Sequence, residues 1–303
     1  MKQGGTAIFV LSSLAYRRIL FARDFRVYRG ENMPTILDEI AEKTKGRVAD
    51  NKLSRPLALV RNIALDKASQ DGIDKSRPEE FRFNKALRQD KINFITEVKK
   101  ASPSKGIIAE DFPYLQIAMD YEKAGAAAIS CLTEPFYFKG SDDYLREITA
   151  NVKIPVIRKD FTVDEYMIYE AKELGASAVL LICSILSRSQ LSEYMEIAHS
   201  LGLSALVETH DEDEVGMALD AKSKIIGVNN RNLKDFTVDI NNSIRLRQLV
   251  PAEITFVSES GMKSAEDIGA LANNGTNAVL IGETLMRAGD KKAKLDELRS
   301  LVY

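Results

Sequence analysis

Eight short apolar runs recur between residues 94 and 281, and each is followed by a stretch with helical periodicity. They lie at 94–98, 127–132, 155–159, 178–183, 204–208, 225–229, 255–258 and 278–281. The runs are apolar almost throughout, which is the pattern of strands buried on both faces of a parallel sheet. Strand ends recur about every 20–35 residues, the length of one βα unit. The stretches 113–124, 163–174 and 190–201 read as helices with acidic or Lys-rich outer faces, and Gly125, Gly175, Gly202 and Gly275 stand where left-handed helix caps are expected. Eight such units in strict alternation predict an α/β fold, a single (β/α)8 TIM barrel over residues 33–303. An open doubly wound sheet is the alternative, weakened because no Gly-x-Gly-x-x-Gly follows the first strand.

Two further helices are predicted before the first strand. Ile36, Leu37, Ile40 and Ala41 give one apolar stripe, and Leu57, Val60, Ile63 and Ala64 give another after Pro56. They are expected to cover the bottom or the side of the barrel. Residues 1–32 read differently. Ile8–Tyr16 is apolar but too short to span a bilayer. Arg17, Arg18, Arg23, Arg26 and Arg29 follow this run, whereas a secretory signal carries its charge before it. The segment is expected to be a dispensable extension, with Met33 as a natural beginning.

Composition narrows the function. The chain has 303 residues with 45% hydrophobic and 28% charged, ample for a large core. A net charge of −2 does not suit a general polyanion binder, so no nucleic acid is expected and any phosphate must be held locally. Cys131 and Cys183 lie inside apolar runs and are expected to be reduced core residues of a cytoplasmic protein. The two histidines, His199 and His210, and the lack of a Cys/His cluster argue against a metal site or a serine–histidine triad.

In a barrel of this kind the active site lies at the C-terminal ends of the strands. The first strand ends in Glu97 and Lys99, two positions apart and hence on one face, followed by the Ser102-Pro103-Ser104-Lys105-Gly106 loop. The third ends Arg158-Lys159-Asp160, the fifth Val207-Glu208, the sixth Asn229-Asn230-Arg231, the seventh Ser258-Glu259-Ser260-Gly261 and the eighth Gly282-Glu283. One such residue alone is no more than a solvated loop residue. Ionisable groups at the same end of five or six apolar strands converge on one rim, where they shift one another's pKa values and yield an acid and a base near neutral pH. Glycines after strands seven and eight let backbone N–H groups approach a phosphate.

These pieces resemble the indole-3-glycerol phosphate synthase family of tryptophan biosynthesis. The match runs from about Pro34 to the C-terminus. It rests on Ile95-Thr-Glu-Val-Lys-Lys-Ala-Ser-Pro-Ser104, Leu132-Thr-Glu134 with Phe138-Lys-Gly-Ser141, Arg158-Lys-Asp-Phe161, Leu206-Val-Glu-Thr-His210, Gly227-Val-Asn-Asn-Arg-Asn-Leu233 and Ser258-Glu-Ser-Gly261. The resemblance implies a cofactor-free carboxy-lyase that closes an indole ring. Its substrate would be 1-(2-carboxyphenylamino)-1-deoxyribulose 5-phosphate, with loss of carbon dioxide and water. It also implies roles for single residues: Lys159 as the acid that polarises the ketone, Glu208 as the second acid/base group, and Lys99 at the substrate carboxylate and phosphate. Glu97 would tune the lysines. Asn229 and Arg231 would position the substrate, with Arg231 expected to pair with Glu208 or Glu259. Ser102, Phe161, Glu259 and Ser260 would bind the substrate, and Ser260, Gly261, Gly282 and Glu283 its phosphate. Many relatives have Ser where this chain has Glu283, so that residue is expected to offer its backbone N–H and turn its side chain away. The expected partners are the phosphosugar substrate and no membrane, in a monomer or weak homo-oligomer; contact with other tryptophan-pathway enzymes is a further expectation. A phosphoribosylanthranilate isomerase on the same barrel is the nearest rival, but its Cys–Asp pair has no counterpart beside Glu97 and Lys99. A non-catalytic barrel predicts gaps in the acid/base set, and Lys99, Lys159 and Glu208 leave none.

Overall fold

The structure, a computed structural model, describes residues 1, 35–232 and 235–302. The expected extension at 1–32 lies outside these apart from its first residue, as do Leu233 and Lys234. Among the described residues, eight parallel strands close into a barrel: β1 (Asn93–Val98), β2 (Ala128–Leu132), β3 (Val156–Lys159), β4 (Ala178–Ile182), β5 (Ser204–Thr209), β6 (Ile225–Asn229), β7 (Thr255–Glu259) and β8 (Ala278–Ile281). Each predicted strand is found within one residue of its expected bounds. The chain folds this way because every run supplies two apolar faces. Ile95, Ile157, Leu206, Val257 and Leu280 point inward and pack on one another, whereas Phe94, Ile129, Val156, Val207 and Phe256 pack outward on the helices. The ladder is closed by β1, which pairs with β8 and with β2.

The covering helices are α1 (Ile36–Ser54), α2 (Leu57–Gln70), α3 (Arg82–Ala86), α4 (Tyr114–Lys123), α5 (Asp142–Asn151), α6 (Glu165–Glu173), α7 (Arg188–Ser200), α8 (Glu212–Asp220), α9 (Asn241–Arg247), α10 (Ala265–Asn273), α11 (Glu283–Arg287) and α12 (Lys291–Leu298). Ser141, Asp164, Ser187, Asp211 and Ser264 cap α5, α6, α7, α8 and α10 through their side chains, satisfying N–H groups that have no partner within the helix. The four expected cap glycines all take positive φ, from 70° at Gly202 to 89° at Gly175. Both cysteines are buried free thiols. Among the described residues no helix is long and apolar enough to cross a membrane.

The N-terminal helices depart from expectation in one respect. Helix α2 does cover the side, where Arg61 stacks over the Tyr169 ring of α6. Helix α1 instead lies at the C-terminal mouth: Leu37 joins the inner core, and Ile36, Leu37 and Ile40 line the cavity there. The floor is closed by a piece the periodicity did not reveal. Around α3, Phe83 and Leu87 are fully buried in the inner core, and the Thr255 hydroxyl at the start of β7 donates to Asn84 Oδ1 at 2.5 Å.

What draws α1 to the mouth is charge. Arg47 Nη2 donates to both oxygens of Asp160 at 2.8 Å, and the Thr133 hydroxyl donates to the same carboxylate at 2.6 Å. Lys52 pairs with Asp164 and Arg55 with Glu173, both at 2.7 Å. Asp160 is fully buried, and burial alone would raise its pKa; the Arg47 and Arg158 guanidinium groups outweigh that and hold it below the usual carboxylate range.

Asp160→Asn should therefore destabilise the fold by about 3 kcal/mol near neutral pH, since it removes the only charged partner of the part-buried Arg47 among the described residues. Because the folded pKa lies below the unfolded one, the ionised Asp160 stabilises the protein above about pH 4. That contribution is lost as pH falls further, so the gap between variant and wild type should narrow in acid. Urea titrations at several pH values measure both.

Candidate active site

The inner face of the barrel runs directly into its chemistry. Two residues beyond Ile95, Ile157, Leu206 and Val257, on the same face, stand Glu97, Lys159, Glu208 and Glu259. Two beyond Gly227 stands Asn229. The last inward layer of the core is thus made of polar side chains. They form the floor of a cavity of about 600 Å³ at the strands' C-terminal ends, roofed in part by α1.

Lys159 Nζ lies 3.0 Å from Glu208 Oε2 and 3.2 Å from Glu259 Oε2. Asn229 Nδ2 donates to the other Glu208 oxygen at 3.1 Å, and Asn229 Oδ1 accepts from the Arg231 N–H at 3.0 Å. Across the floor, Lys99 Nζ donates to Glu97 Oε1 at 2.5 Å. Burial opposes the charge on Lys159, but Glu208, Glu259 and Glu97 together hold its pKa above the usual lysine value, so it is an ammonium. Burial likewise opposes the Glu208 carboxylate, and the Lys159 charge and the His210 contact keep it well below the ordinary range. Glu259 differs. Burial and the nearby Glu208 outweigh Lys159 and push it up to about 7. One cation thus sits beside an ionised carboxylate and one close to its titration point, which is the separation of acid and base that proton-transfer chemistry needs.

Two glycines make this packing possible. A Cβ on Gly227 would come within 2.2 Å of Glu259 Oε1, and one on Gly282 within 2.4 Å of Glu97 Oε1 and 2.8 Å of Lys99 Nζ. Gly282 thus makes room for the Glu97–Lys99 pair, whatever it also does for a ligand.

All the residues singled out in the sequence line this one cavity: Glu97, Lys99, Ser102, Lys159, Phe161, Glu208, Asn229, Arg231, Glu259, Ser260, Gly261, Gly282 and Glu283. Ser102 belongs to a two-residue ribbon, Ala101–Ser102 paired with Gly106–Ile107, which shapes the loop after β1. The Phe161 ring lies 6.0 Å from that of Phe138. Ser260 and Gly261 form a left-handed turn, φ 67° and 99°, held because Asn230 Nδ2 donates to the Ser260 carbonyl at 3.0 Å. A Cβ on Gly261 would meet Val238 at 2.6 Å, so a side chain there would strike the loop after β6. The Ser260 N–H is directed to the Leu280 carbonyl at 3.4 Å. Glu283 turns its carboxylate to Arg287 Nε at 3.0 Å and faces Lys105 Nζ at 4.0 Å.

The pairing expected for Arg231 is not found. Glu208 and Glu259 are already occupied by Lys159, and the Arg231 guanidinium donates instead to the Phe236 carbonyl at 3.4 Å. The sequence reading also passed over α1's contribution to the lining, Arg287, and His210, which faces Glu208 from outside the cavity. The apolar stripe of α1 was visible, but nothing local says which end of the barrel it covers.

The sequence profile described as Indole-3-glycerol phosphate synthase matches residues 37–298. The chain belongs to this family. An indole-3-glycerol phosphate synthase from Ruminiclostridium cellulolyticum is 56% identical over 264 residues, covering 87% of this chain and 98% of that one. The Endomicrobium trichonymphae protein of the same name is 52% identical, covering 87% and 99%. Among solved structures, thiamine phosphate pyrophosphorylase from Pyrococcus furiosus has a TM-score of 0.54 at 15% identity, covering 71% of this chain and 96% of that one, a likeness of fold alone.

Gly282→Ala should preserve the fold yet displace the Glu97–Lys99 pair, lowering kcat/KM by about tenfold or more, the equivalent of one charge-assisted hydrogen bond. Circular dichroism and steady-state kinetics together check both halves of that statement.

Proposed function

We propose that the chain is an indole-3-glycerol phosphate synthase, a carboxy-lyase of tryptophan biosynthesis. It converts 1-(2-carboxyphenylamino)-1-deoxy-D-ribulose 5-phosphate to indole-3-glycerol phosphate, carbon dioxide and water. The observation that carries this reading is the part-buried Lys159 ammonium held between Glu208 and Glu259 at the floor of the cavity. Ring closure puts negative charge on the ketone oxygen as the aromatic carbon attacks, and Lys159 supplies the proton there. Decarboxylation breaks the carbon–carboxylate bond, and its electron pair restores the aromatic ring. Dehydration then removes a hydroxyl with a proton and a hydrogen from the adjacent carbon, and Glu208 takes the latter. No step requires an external oxidant or reductant.

The remaining residues hold the substrate. Lys99 offers a cation to its carboxylate and phosphate, with Glu97 setting that lysine's position. Asn229 orients Glu208, while Arg231, Ser102 and Phe161 flank the substrate. Glu259 shares the Lys159 proton environment. The phosphate lies against the N–H groups of Gly261, Gly282 and Glu283, with Ser260 contributing through its hydroxyl, because its N–H is turned to Leu280. The Glu283 carboxylate, held by Arg287, stays out of that site. The enzyme works in the cytoplasm as a monomer or weak homo-oligomer, in contact with other enzymes of the pathway.

Mixing the purified protein with the carboxyphenylamino-deoxyribulose phosphate should produce indole fluorescence; a silent assay sinks the reading. Lys159→Met should cost about 10²–10⁴-fold in kcat while leaving substrate binding largely intact. A variant within a few-fold of wild type would move the acid role to Lys99. Inorganic phosphate or sulfate should compete with substrate, raising the apparent KM without lowering kcat, and a sulfate-soaked crystal should show the ion beside Gly261 and Gly282. An anion found elsewhere on the rim would refute this phosphate assignment while leaving the reaction untouched.

A further inference from the structure

The catalytic cavity has a second wall that the chemistry above does not use. Behind Glu208, on the exit of β5, stands His210, and its imidazole bridges two carboxylates. Nδ1 lies 2.9 Å from Glu214 Oε2 on α8, and the backbone N–H of His210 donates to that same oxygen at 2.8 Å. Nε2 is buried and lies 3.4 Å from Glu208 Oε1, an ion-pair contact that falls short of hydrogen-bond geometry. Glu214 therefore holds His210 by one ring nitrogen and by the backbone, and the ring presents its far nitrogen to Glu208. The His210 carbonyl accepts from Asn242 Nδ2 at 3.0 Å, which ties the turn to α9. A second cleft of about 570 Å³, lined by His210, Glu214, Asn229 and Asn242, opens on the side away from Lys159.

The two oxygens of Glu208 consequently face different neighbours. Oε1 has Asn229 at 3.1 Å and His210 at 3.4 Å, both away from Lys159. Oε2 has Lys159 at 3.0 Å. We propose that His210 is a positioning residue for Glu208: clamped by Glu214, it holds Oε1 from behind and so leaves Oε2, the oxygen beside Lys159, to exchange the proton with substrate. This inference rests on the reading of Glu208 as the reaction's second acid/base group. Burial opposes charge on the ring, but Glu208 and Glu214 outweigh it and raise its pKa to about 10, so both ring nitrogens carry protons at neutral pH. The arrangement follows the way a buried carboxylate fixes an imidazole in nucleophilic triads, with the order of the two groups reversed: here the imidazolium orients the carboxylate.

Two substitutions separate this role from a purely structural one, because each keeps one nitrogen position of the ring. His210→Gln places an amide N–H near the position of Nε2 and can still reach Glu208. His210→Asn places its amide near Nδ1 and can keep only the Glu214 contact. H210N should lower kcat about tenfold with KM within about threefold of wild type, the rate effect of losing one close charge contact to Glu208. H210Q should recover kcat to within a few-fold. If His210 only fastens the turn to α8, the order reverses: H210N keeps the rate and H210Q loses stability. H210N at full kcat, or H210Q as slow as H210N, overturns the inference. Glu208→Gln is measured alongside them. A slow E208Q with a full-rate H210N removes the positioning role alone, whereas a full-rate E208Q removes the reading of Glu208 on which it stands.

Discussion

A largely buried ammonium, its side chain 14% exposed at the end of the inner face of an apolar barrel, is the constraint around which the rest of this structure is arranged. Moving such an ion out of water costs several kcal/mol even after relaxation, and the cost is met only by close, well-directed counter-charges. Lys159 has two, at 3.0 and 3.2 Å. Those carboxylates are themselves buried and need support in turn. Asn229 holds Glu208, and His210 faces it from behind. Glu259 is the less supported of the two: its Oε1 is buried without a hydrogen-bond partner among the described residues, and its pKa rises to about 7. The charge that this group cannot stably carry is what leaves it near its titration point at neutral pH. The balance here is tight, and small changes of charge in this cavity have large effects on protonation.

Much of this was legible in the sequence because the strand period is two and the core is apolar. Once Ile157 is inward, Lys159 must be inward as well, and the same step leads from Ile95 to Glu97, from Leu206 to Glu208 and from Val257 to Glu259. The residues that became the cavity floor could thus be picked from strand ends alone, and the glycine caps set the helix ends. What could not be read are the contacts between elements distant in sequence. Helix α1 shows an apolar stripe, but its place at the mouth depends on Arg47 finding Asp160, a partner 113 residues away. The closed end of the barrel depends on Phe83 and Leu87, in and just after a helix too short to show a period. His210 is a different case: both its carboxylates are near in sequence, Glu208 two residues before it and Glu214 four after, but only the turn from β5 into α8 shows that the ring lies between them. Arg231 was assigned to carboxylates that Lys159 had already taken, an error of competition that only the assembled site reveals.

The glycines make the same point from the side of packing. Gly227 and Gly282 are not in left-handed conformations, and their value is empty volume. Each stands where a methyl group would enter a buried carboxylate. A barrel interior is normally filled to the density of an organic crystal, so a charged layer can be fitted into it only if neighbouring strands give up side chains. In this chain the strands that give up side chains, β6 and the exit of β8, are neighbours in the ladder of those that carry the charge, β7 and β1. Packing and electrostatics are therefore solved by the same substitution.

The charged triplet at the end of β3 shows how the register itself is secured. Arg158, Lys159 and Asp160 are consecutive and point in alternate directions. Arg158 reaches outward to Glu170 at 2.7 Å and Asp142 at 2.8 Å, Lys159 inward to Glu208 and Glu259, and Asp160 to Arg47 of α1. A slip of one residue would send Lys159 toward Glu170 and turn either Arg158 or Asp160 into the barrel. An inward Asp160 would meet the carboxylates of Glu208 and Glu259, and each displaced charge would lose its counter-ion, at a cost of several kcal/mol apiece. Apolar strands alone tolerate a shift more easily, since inner and outer faces of β3's neighbours are both hydrophobic. In this barrel it is the alternation of sign at the strand exit that makes the correct register the only one in which every buried charge is matched. The residues that form the cavity floor thereby also specify where the strand must sit.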